Sequence, residues 1–209
     1  MKFYDISMSI EHDMPVYKNT QEKRPFLEVT RDYSCSDGLQ STIHMDLHTG
    51  THVDAPLHNL QNGDTVDNMD LNKVITKCRV IDLSHVCDGI IADDLKGKEI
   101  KAGDFIIFKT KNSNDNNFNS NFIYLKKSGA EFLKEVGIKG VGIDSLGIER
   151  SQDDHITHKT LAEKEIVILE GLRLKEIEEG EYTLVALPLK IKGAEASPVR
   201  AVLFPCIAK

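Results

Sequence analysis

Residues 44–58 read His-Met-Asp-Leu-His-Thr-Gly-Thr-His-Val-Asp-Ala-Pro-Leu-His and contain four of the eight histidines of the chain. Every histidine and aspartate in this stretch occupies an even-numbered position, and the odd positions carry Met, Leu, Thr, Val or Ala. Such alternation is typical of an extended segment with one polar face. A functional site is therefore the first hypothesis for residues 44–58.

A straight strand cannot bring these histidines to one metal ion, because four residues of strand span about 13 Å and a metal–nitrogen bond is about 2.1 Å long. Gly50 frees the backbone for a turn between His48 and His52. A helix would also place these two histidines on one face, but Gly50 is poor in a helix interior, and Thr49 stands where an H-E-x-x-H motif has Glu. We therefore predict a strand that runs to Leu47 and then a tight turn.

The turn is expected to present two imidazoles and one carboxylate, namely His48, His52 and Asp54. Such a donor set, with coordination positions left open, suits Zn²⁺ or another first-row divalent ion that keeps a water molecule. The ordinary alternative is that the histidines only satisfy polar contacts along a strand edge. Their clustering favours the metal site, and His44 is the member that we expect to be structural.

Composition and charge exclude several other classes of protein. The 209 residues are enough for one domain with a sizeable core, and no apolar run is long enough to cross a bilayer. The 26 basic and 33 acidic residues give a formal charge of −7 without a dense basic block, which disfavours a nucleic-acid partner. We therefore expect a small-molecule substrate or a protein ligand. The N-terminus lacks a signal-peptide pattern and the four cysteines are scattered, which together predict a cytoplasmic protein.

Short runs with β-branched residues or alternating polarity predict nine strands, over 3–8, 26–32, 40–47, 78–83, 105–109, 140–144, 166–169, 182–188 and 200–205. Helical periodicity predicts helices over 125–136, 157–163 and 172–178, and one turn at 92–95. Because strands outnumber helices, we predict a mixed, β-rich α/β fold, with one domain over residues 1–209.

A second histidine pair, His155 and His158, precedes the apolar run 166–169 that leads to Glu170. The run would bring Glu170 to the carboxyl end of a strand, where α/β proteins commonly place ligands. Taken alone, this pattern is a weak indication of a site.

The string HTGTHVDAPLH, from His48 to His58, resembles the H-x-G-T-H-x-D-x-P-x-H signature of the cyclase family of metal-dependent hydrolases at every specified position. The resemblance covers most of the chain and includes residues 5–7, 142–146, 168–172, 187–191 and 197–201. It implies a swivelling β/β/α domain that assembles as a homodimer.

The resemblance also implies the roles of individual residues. Two divalent ions per subunit, expected to be Zn²⁺ with Mn²⁺ as an alternative, would share five ligands: His48, His52, Asp54, His158 and Glu170. Asp54 would bridge the two ions. His58 matches the catalytic acid/base of the family.

The activity implied by the resemblance is that of an arylformamidase, which hydrolyses N-formylkynurenine to kynurenine and formate with metal-activated hydroxide. Tyr17 is a candidate substrate-binding residue, although residues 15–25 depart from the Pro-aromatic-Pro-Gly-Asp stretch of formamidases and the chain has no Trp. One alternative is the opening of a cyclic amide, a lactone or an isatin-like ring. A non-catalytic metal-binding module is a further alternative, which the presence of His58 disfavours.

Overall fold

The computed structural model describes residues 2–206. Their strands are β1 (Tyr4–Asp5), β2 (Phe26–Arg31), β3 (Gln40–His44), β4 (His52–Asp54), β5 (Ile75–Asp82), β6 (Gly89–Ile90), β7 (Phe105–Lys109), β8 (Tyr124–Leu125), β9 (Gly140–Ile143), β10 (Val167–Glu170), β11 (Gly180–Val185), β12 (Ala196–Pro198) and β13 (Val202–Pro205). Their α-helices are α1 (Ala92–Leu95), α2 (Lys127–Val136) and α3 (Ile156–Ala162). None of the described helices is long and apolar enough to span a membrane.

Nine of the strands form one sheet in the order β1-β13-β11-β5-β7-β9-β10-β4-β12. The four strands β5, β7, β9 and β10 run parallel to one another, and the remaining pairs are antiparallel. Two small sheets, β2–β3 and β6–β8, lie outside this sheet. The strand-rich mixed architecture confirms the predicted α/β fold class.

The main sheet is buried on both faces, as strand β7 illustrates. Phe105 and Ile107 belong to one hydrophobic core, and Ile106 and Phe108 belong to the other. Consecutive side chains of a strand point to opposite faces, so an unbroken apolar run is what a doubly covered parallel strand requires. The second core also takes in the buried residues of the three helices, which include Leu95, Leu133 and Leu161.

The helix predicted over 172–178 is wrong. Leu172 donates its backbone N–H to Ile143, and Arg173 donates to Ile6, so these amides bond to neighbouring segments instead of forming a helix. Leu172, Leu174 and Ile177 are buried in the first core. Their apolar spacing therefore reflects the packing of an irregular segment into the first core.

The histidine-rich stretch 44–58 differs from the prediction in two places, the end of the first strand and the segment after the turn. Strand β3 ends at His44, before the predicted Leu47, and the turn then follows as expected. The Asp46 carboxylate accepts from the backbone N–H of His48 at 2.8 Å, and the Asp46 carbonyl accepts from Thr49. After the turn the chain forms the short strand β4, which the sequence analysis did not predict.

Candidate metal centre

Strands β4 and β10 bring three predicted ligands together. They pair antiparallel, with His52 opposite Glu170 and Asp54 opposite Ile168. Ile168 lies in the helix-covered core, so its neighbours on the same face, His52, Asp54 and Glu170, also lie on the helix side of the sheet. All three ligands are at least 95% buried.

Two glycines allow the segments that carry these ligands to approach closely. Gly50 and Gly171 have positive φ angles of 75° and 68°, which favour glycine. A Cβ atom on Gly171 would lie 2.2 Å from the carbonyl oxygen of Gly50. The Gly171 carbonyl accepts from the Thr51 hydroxyl at 2.6 Å, which fastens the end of β10 to the start of β4.

The remaining predicted ligands come from two other elements. His48 lies in the turn before β4, and its Nδ1 is 3.0 Å from Asp54 Oδ1. His158 lies in the first turn of α3, and its Nε2 is 3.5 Å from Glu170 Oε1 and 3.9 Å from Asp54 Oδ2. The structure thus brings all five predicted ligands into one cluster.

Asp54 faces three imidazoles of the cluster, and Glu170 faces two. Asp54 Oδ1 faces His48 and also lies 3.5 Å from His52 Nε2, while Asp54 Oδ2 faces His158. Glu170 Oε2 is 3.3 Å from His52 Nε2, and Glu170 Oε1 faces His158. The two carboxylates therefore lie between the imidazoles, so that more than one metal ion could use the same carboxylate as a ligand.

Electrostatics in the cluster favour positive charge. Burial lowers the pKa of His52 and of His158, but the facing carboxylates outweigh burial and raise these values to about 9 and about 10. Burial raises the pKa of Asp54 and of Glu170, but the facing imidazoles outweigh it and hold both below their usual values. Two buried carboxylates this close to each other need cations, which are either protons on the imidazoles or metal ions.

The residues fit a divalent metal by a direct structural test. His52 Nε2 and both Asp54 oxygens are buried without a hydrogen-bond partner among the described residues. Asp54 Oδ1 lies 3.0 Å from His48 Nδ1 but lacks the alignment of a hydrogen bond. Unpartnered imidazole nitrogens and carboxylate oxygens are ligands that Zn²⁺ and related ions bind. Two groups that could hold an ion include Asp54: one with His48 and His58, the other with His52 and Glu170.

His58 ends a 3-10 turn, Pro56–His58, that directly follows β4. Its ring centroid lies 4.1 Å from that of His48 and 5.5 Å from that of His158. Burial lowers the pKa of His58 below its ordinary 6.5, with smaller contributions from these two imidazoles, although Asp54 opposes the shift. His58 is therefore neutral at pH 7 and can accept a proton.

A cavity of about 290 Å³ opens onto the cluster and is lined by His48, His58, His158, Glu170 and Tyr17 among others. The Tyr17 ring packs edge-on against Phe118 and Phe122, at centroid distances of 5.6 and 6.2 Å. Burial, together with Glu170 and Glu149, raises the pKa of Tyr17, so its phenol stays protonated. Tyr17, the predicted substrate-binding residue, thus lines this cavity, whereas Phe118 and Phe122 line a neighbouring pocket and support the Tyr17 ring.

Two residues near the cluster, Glu149 and His155, had no role assigned from the sequence. Glu149 is 5% exposed, and its Oε2 lies 2.9 Å from His158 Nδ1. His155, the other member of the second histidine pair, lines the cavity and has a strained φ of 50°. An isolated acid nine residues before a histidine has no recognisable spacing, so only the fold shows the Glu149 contact. His44 lies outside the cluster, as expected, and pairs with exposed Glu28.

Solved structures establish the class of this protein. A "predicted metal-dependent hydrolase" from Bacillus stearothermophilus is 46% identical, with a TM-score of 0.89, and the match covers 97% of each chain. An isatin hydrolase bound to the product analogue thioisatinate is 22% identical, with a TM-score of 0.84, and the match covers 98% of this chain and 93% of that one. The second likeness shows the fold alone. Fold, cluster and similarity together define a metal-dependent hydrolase.

The family follows from the sequence comparisons. Residues 4–150 match the Cyclase family model, described as "Putative cyclase". The kynurenine formamidase of Salinibacter ruber is 31% identical over 206 residues, which are 97% of each chain. The Arabidopsis thaliana "Cyclase-like protein 3" is 32% identical, over 97% of this chain and 79% of that protein. The chain belongs to the Cyclase family.

Proposed function

We propose that this protein is an arylformamidase that hydrolyses N-formylkynurenine to kynurenine and formate. The observation that carries the proposal is the buried cluster of three imidazoles and two carboxylates beside a neutral histidine, at the base of a cavity of about 290 Å³. Full-length similarity to kynurenine formamidases supports the choice of substrate.

Five residues would hold two divalent ions per subunit, with Zn²⁺ as the first expectation and Mn²⁺ as the second: His48, His52, Asp54, His158 and Glu170. When bound, such ions lower the pKa of coordinated water and polarise a carbonyl oxygen. Asp54 would be shared by the two ions, because its Oδ1 faces His48 and His52 whereas its Oδ2 faces His158. The donors include no thiolate, which fits both metals.

His58 is the acid/base residue in this proposal. Because its pKa is lowered, it starts neutral, takes a proton from the attacking water and returns that proton to the departing amine nitrogen. Tyr17 lines the same cavity with a protonated hydroxyl, and its ring offers a surface for the aryl group of the substrate. Phe118 and Phe122 pack against the Tyr17 ring and hold it in place.

The test is an assay of N-formylkynurenine hydrolysis by metal-free protein and by protein reconstituted with Zn²⁺ or Mn²⁺. We expect activity only after reconstitution, with formate and the free amine released in equal amounts. Reconstituted protein that leaves N-formylkynurenine intact would overturn the substrate assignment.

A second substrate class is the cyclic amide or isatin-like ring. Residues 15–25 depart from the formamidase pattern, and Tyr17 and Lys18 of this segment line the cavity. This difference in the cavity lining favours retaining cyclic substrates as a second candidate class. The discriminating measurement is kcat/KM for N-formyl anilines against isatin, cyclic imides and lactones, with the same metal-loaded preparation. If the protein hydrolyses only the cyclic substrates, its assignment as a hydrolase stands and its assignment as a formamidase is wrong.

A homodimer is the proposed assembly, and the β2–β3 hairpin supports it. Leu27 and Ile43 are directly opposite each other on one face of the hairpin, with Val29 beside them. These side chains are 63%, 54% and 53% exposed. A two-stranded hairpin is marginally stable in water unless another surface covers it. A second copy of the chain would provide that surface.

We further propose one domain over residues 1–209 and a cytoplasmic location. Both hydrophobic cores share the one nine-stranded sheet, which supports a single folding unit. Cys35, Cys78, Cys87 and Cys206 are all free thiols, as is usual in a reducing compartment.

A further inference from the structure

We propose that Glu149 is a positioning residue that orients the His158 ring for metal binding. This inference rests on the proposed function only in taking His158 as a ligand. Glu149 is outside the proposed ligand set. It acts through the imidazole that it contacts.

The Glu149 carboxylate anchors His158 at two points. One oxygen, Oε2, accepts from the backbone N–H of His158 at 3.1 Å and lies 2.9 Å from the ring Nδ1. His158 is the third residue of α3, and backbone N–H groups in the first turn of a helix have no partner within the helix. One carboxylate oxygen therefore satisfies a free helix N–H and holds the side chain of the same residue.

The ring contact determines which nitrogen of His158 is available to a ligand. A ring that donates its Nδ1–H to Glu149 keeps the lone pair on Nε2. That Nε2 is the atom that faces Glu170 Oε1 and Asp54 Oδ2. His52 shows the same arrangement with a different anchor, because its Nδ1 lies 3.0 Å from the Gly50 carbonyl oxygen and its Nε2 faces the carboxylates.

The other oxygen of Glu149 argues against a purely structural role. Oε1 is buried and has no hydrogen-bond partner among the described residues. A buried polar atom without a partner costs folding free energy. A shorter acceptor that only capped α3 would avoid this cost, so the length of the Glu149 side chain is explained by the imidazole contact.

The experiment measures metal affinity rather than turnover. Zn²⁺ binding to wild type, Glu149→Leu, Glu149→Gln and Glu149→Asp would be followed by competition with a chromophoric chelator. We expect Glu149→Leu to lower the affinity for the ion that His158 binds by about 10- to 100-fold, because loss of a hydrogen-bond partner of a metal-bound histidine has an effect of this size. Glu149→Gln keeps an acceptor oxygen and should stay close to wild type, whereas Glu149→Asp withdraws the carboxylate and should also lose affinity.

Glu163→Gln is the matched control, because Glu163 directly follows α3 but pairs with Lys134 at the surface. Its Zn²⁺ affinity should equal that of wild type. A folded Glu149→Leu protein with wild-type affinity would overturn the inference, and so would Glu149→Asp with wild-type affinity if Glu149→Leu does not fold. If wild-type protein binds a single Zn²⁺ ion and the His158→Ala variant binds that ion equally tightly, the proposed two-ion site is contradicted instead.

Discussion

At the scale of single residues, the chemistry depends on how each imidazole is held. His52 and His158 each have Nδ1 anchored and Nε2 turned toward carboxylates, whereas His58 has no such anchor within residues 2–206 and has a lowered pKa. The first arrangement suits a ligand, and the second suits a residue that exchanges protons. His52 and His58, only six residues apart in the sequence, therefore have different predicted roles.

His58→Ala tests the proton-transfer role directly. We expect kcat to fall by about 100-fold or more, because the leaving amine would have no proton donor. Metal content, measured by elemental analysis, should stay at the wild-type level. Loss of an ion in this variant would instead make His58 a ligand, a role that its place in one donor group with His48 and Asp54 would allow.

The metal-free protein should lose stability in alkaline solution. The pKa values of His52 and His158 are raised to about 9 and about 10, above the ordinary 6.5. Their contribution is therefore fully present below pH 6.5 and is lost as the pH rises through these values. Thermal unfolding of metal-free protein between pH 6 and pH 10 should show a falling Tm. The fall should be smaller in His158→Gln, which removes one titrating group, and an equal fall in both proteins would refute this explanation.

At the scale of elements, the site is formed where β4 pairs with the end of β10. Neither strand would have this geometry alone, because β4 has three residues and is held between β10 and β12. The Gly50–Gly171 approach lets the two backbones come together. The site therefore depends on strand pairing as much as on its ligands.

Gly171→Ala should be strongly destabilising. The new Cβ would meet the Gly50 carbonyl oxygen at 2.2 Å, and φ is 68°. We expect a loss of about 2–4 kcal/mol from the left-handed backbone and the overpacking together. Gly193→Ala is the control, since φ is 78° there but no atom lies within 4 Å of the Cβ position. Denaturant unfolding that shows equal losses for the two variants would refute the close-approach argument.

At the scale of the whole molecule, the exposed apolar face of the β2–β3 hairpin predicts self-association. Leu27→Ser combined with Ile43→Ser should convert a dimer into a monomer in analytical ultracentrifugation, because it removes apolar surface that an interface would bury. Glu28→Gln, next to Leu27 but on the opposite face of the hairpin, is the control and should leave the dimer intact. A dimer that survives the double substitution would place the interface elsewhere.

The sequence by itself determined the site's donor types and most of the strands of the main sheet. The HTGTHVDAPLH string predicted a turn at Gly50, and a short apolar run with β-branched residues predicted β7 at its observed bounds, because these are local properties of spacing and backbone freedom. The short turn at α1 was likewise predicted from its own residues.

Only the tertiary structure decided the rest. The apolar residues of 172–178 resemble a helix in spacing, but their backbone amides bond to distant segments, and β4 is too short to leave a pattern. The Glu149 contact with His158, the pairing of His52 opposite Glu170 and the neutral state of His58 all depend on which elements pack together. Burial and facing charges set the pKa values here, and both are created by long-range packing that no local stretch of sequence contains.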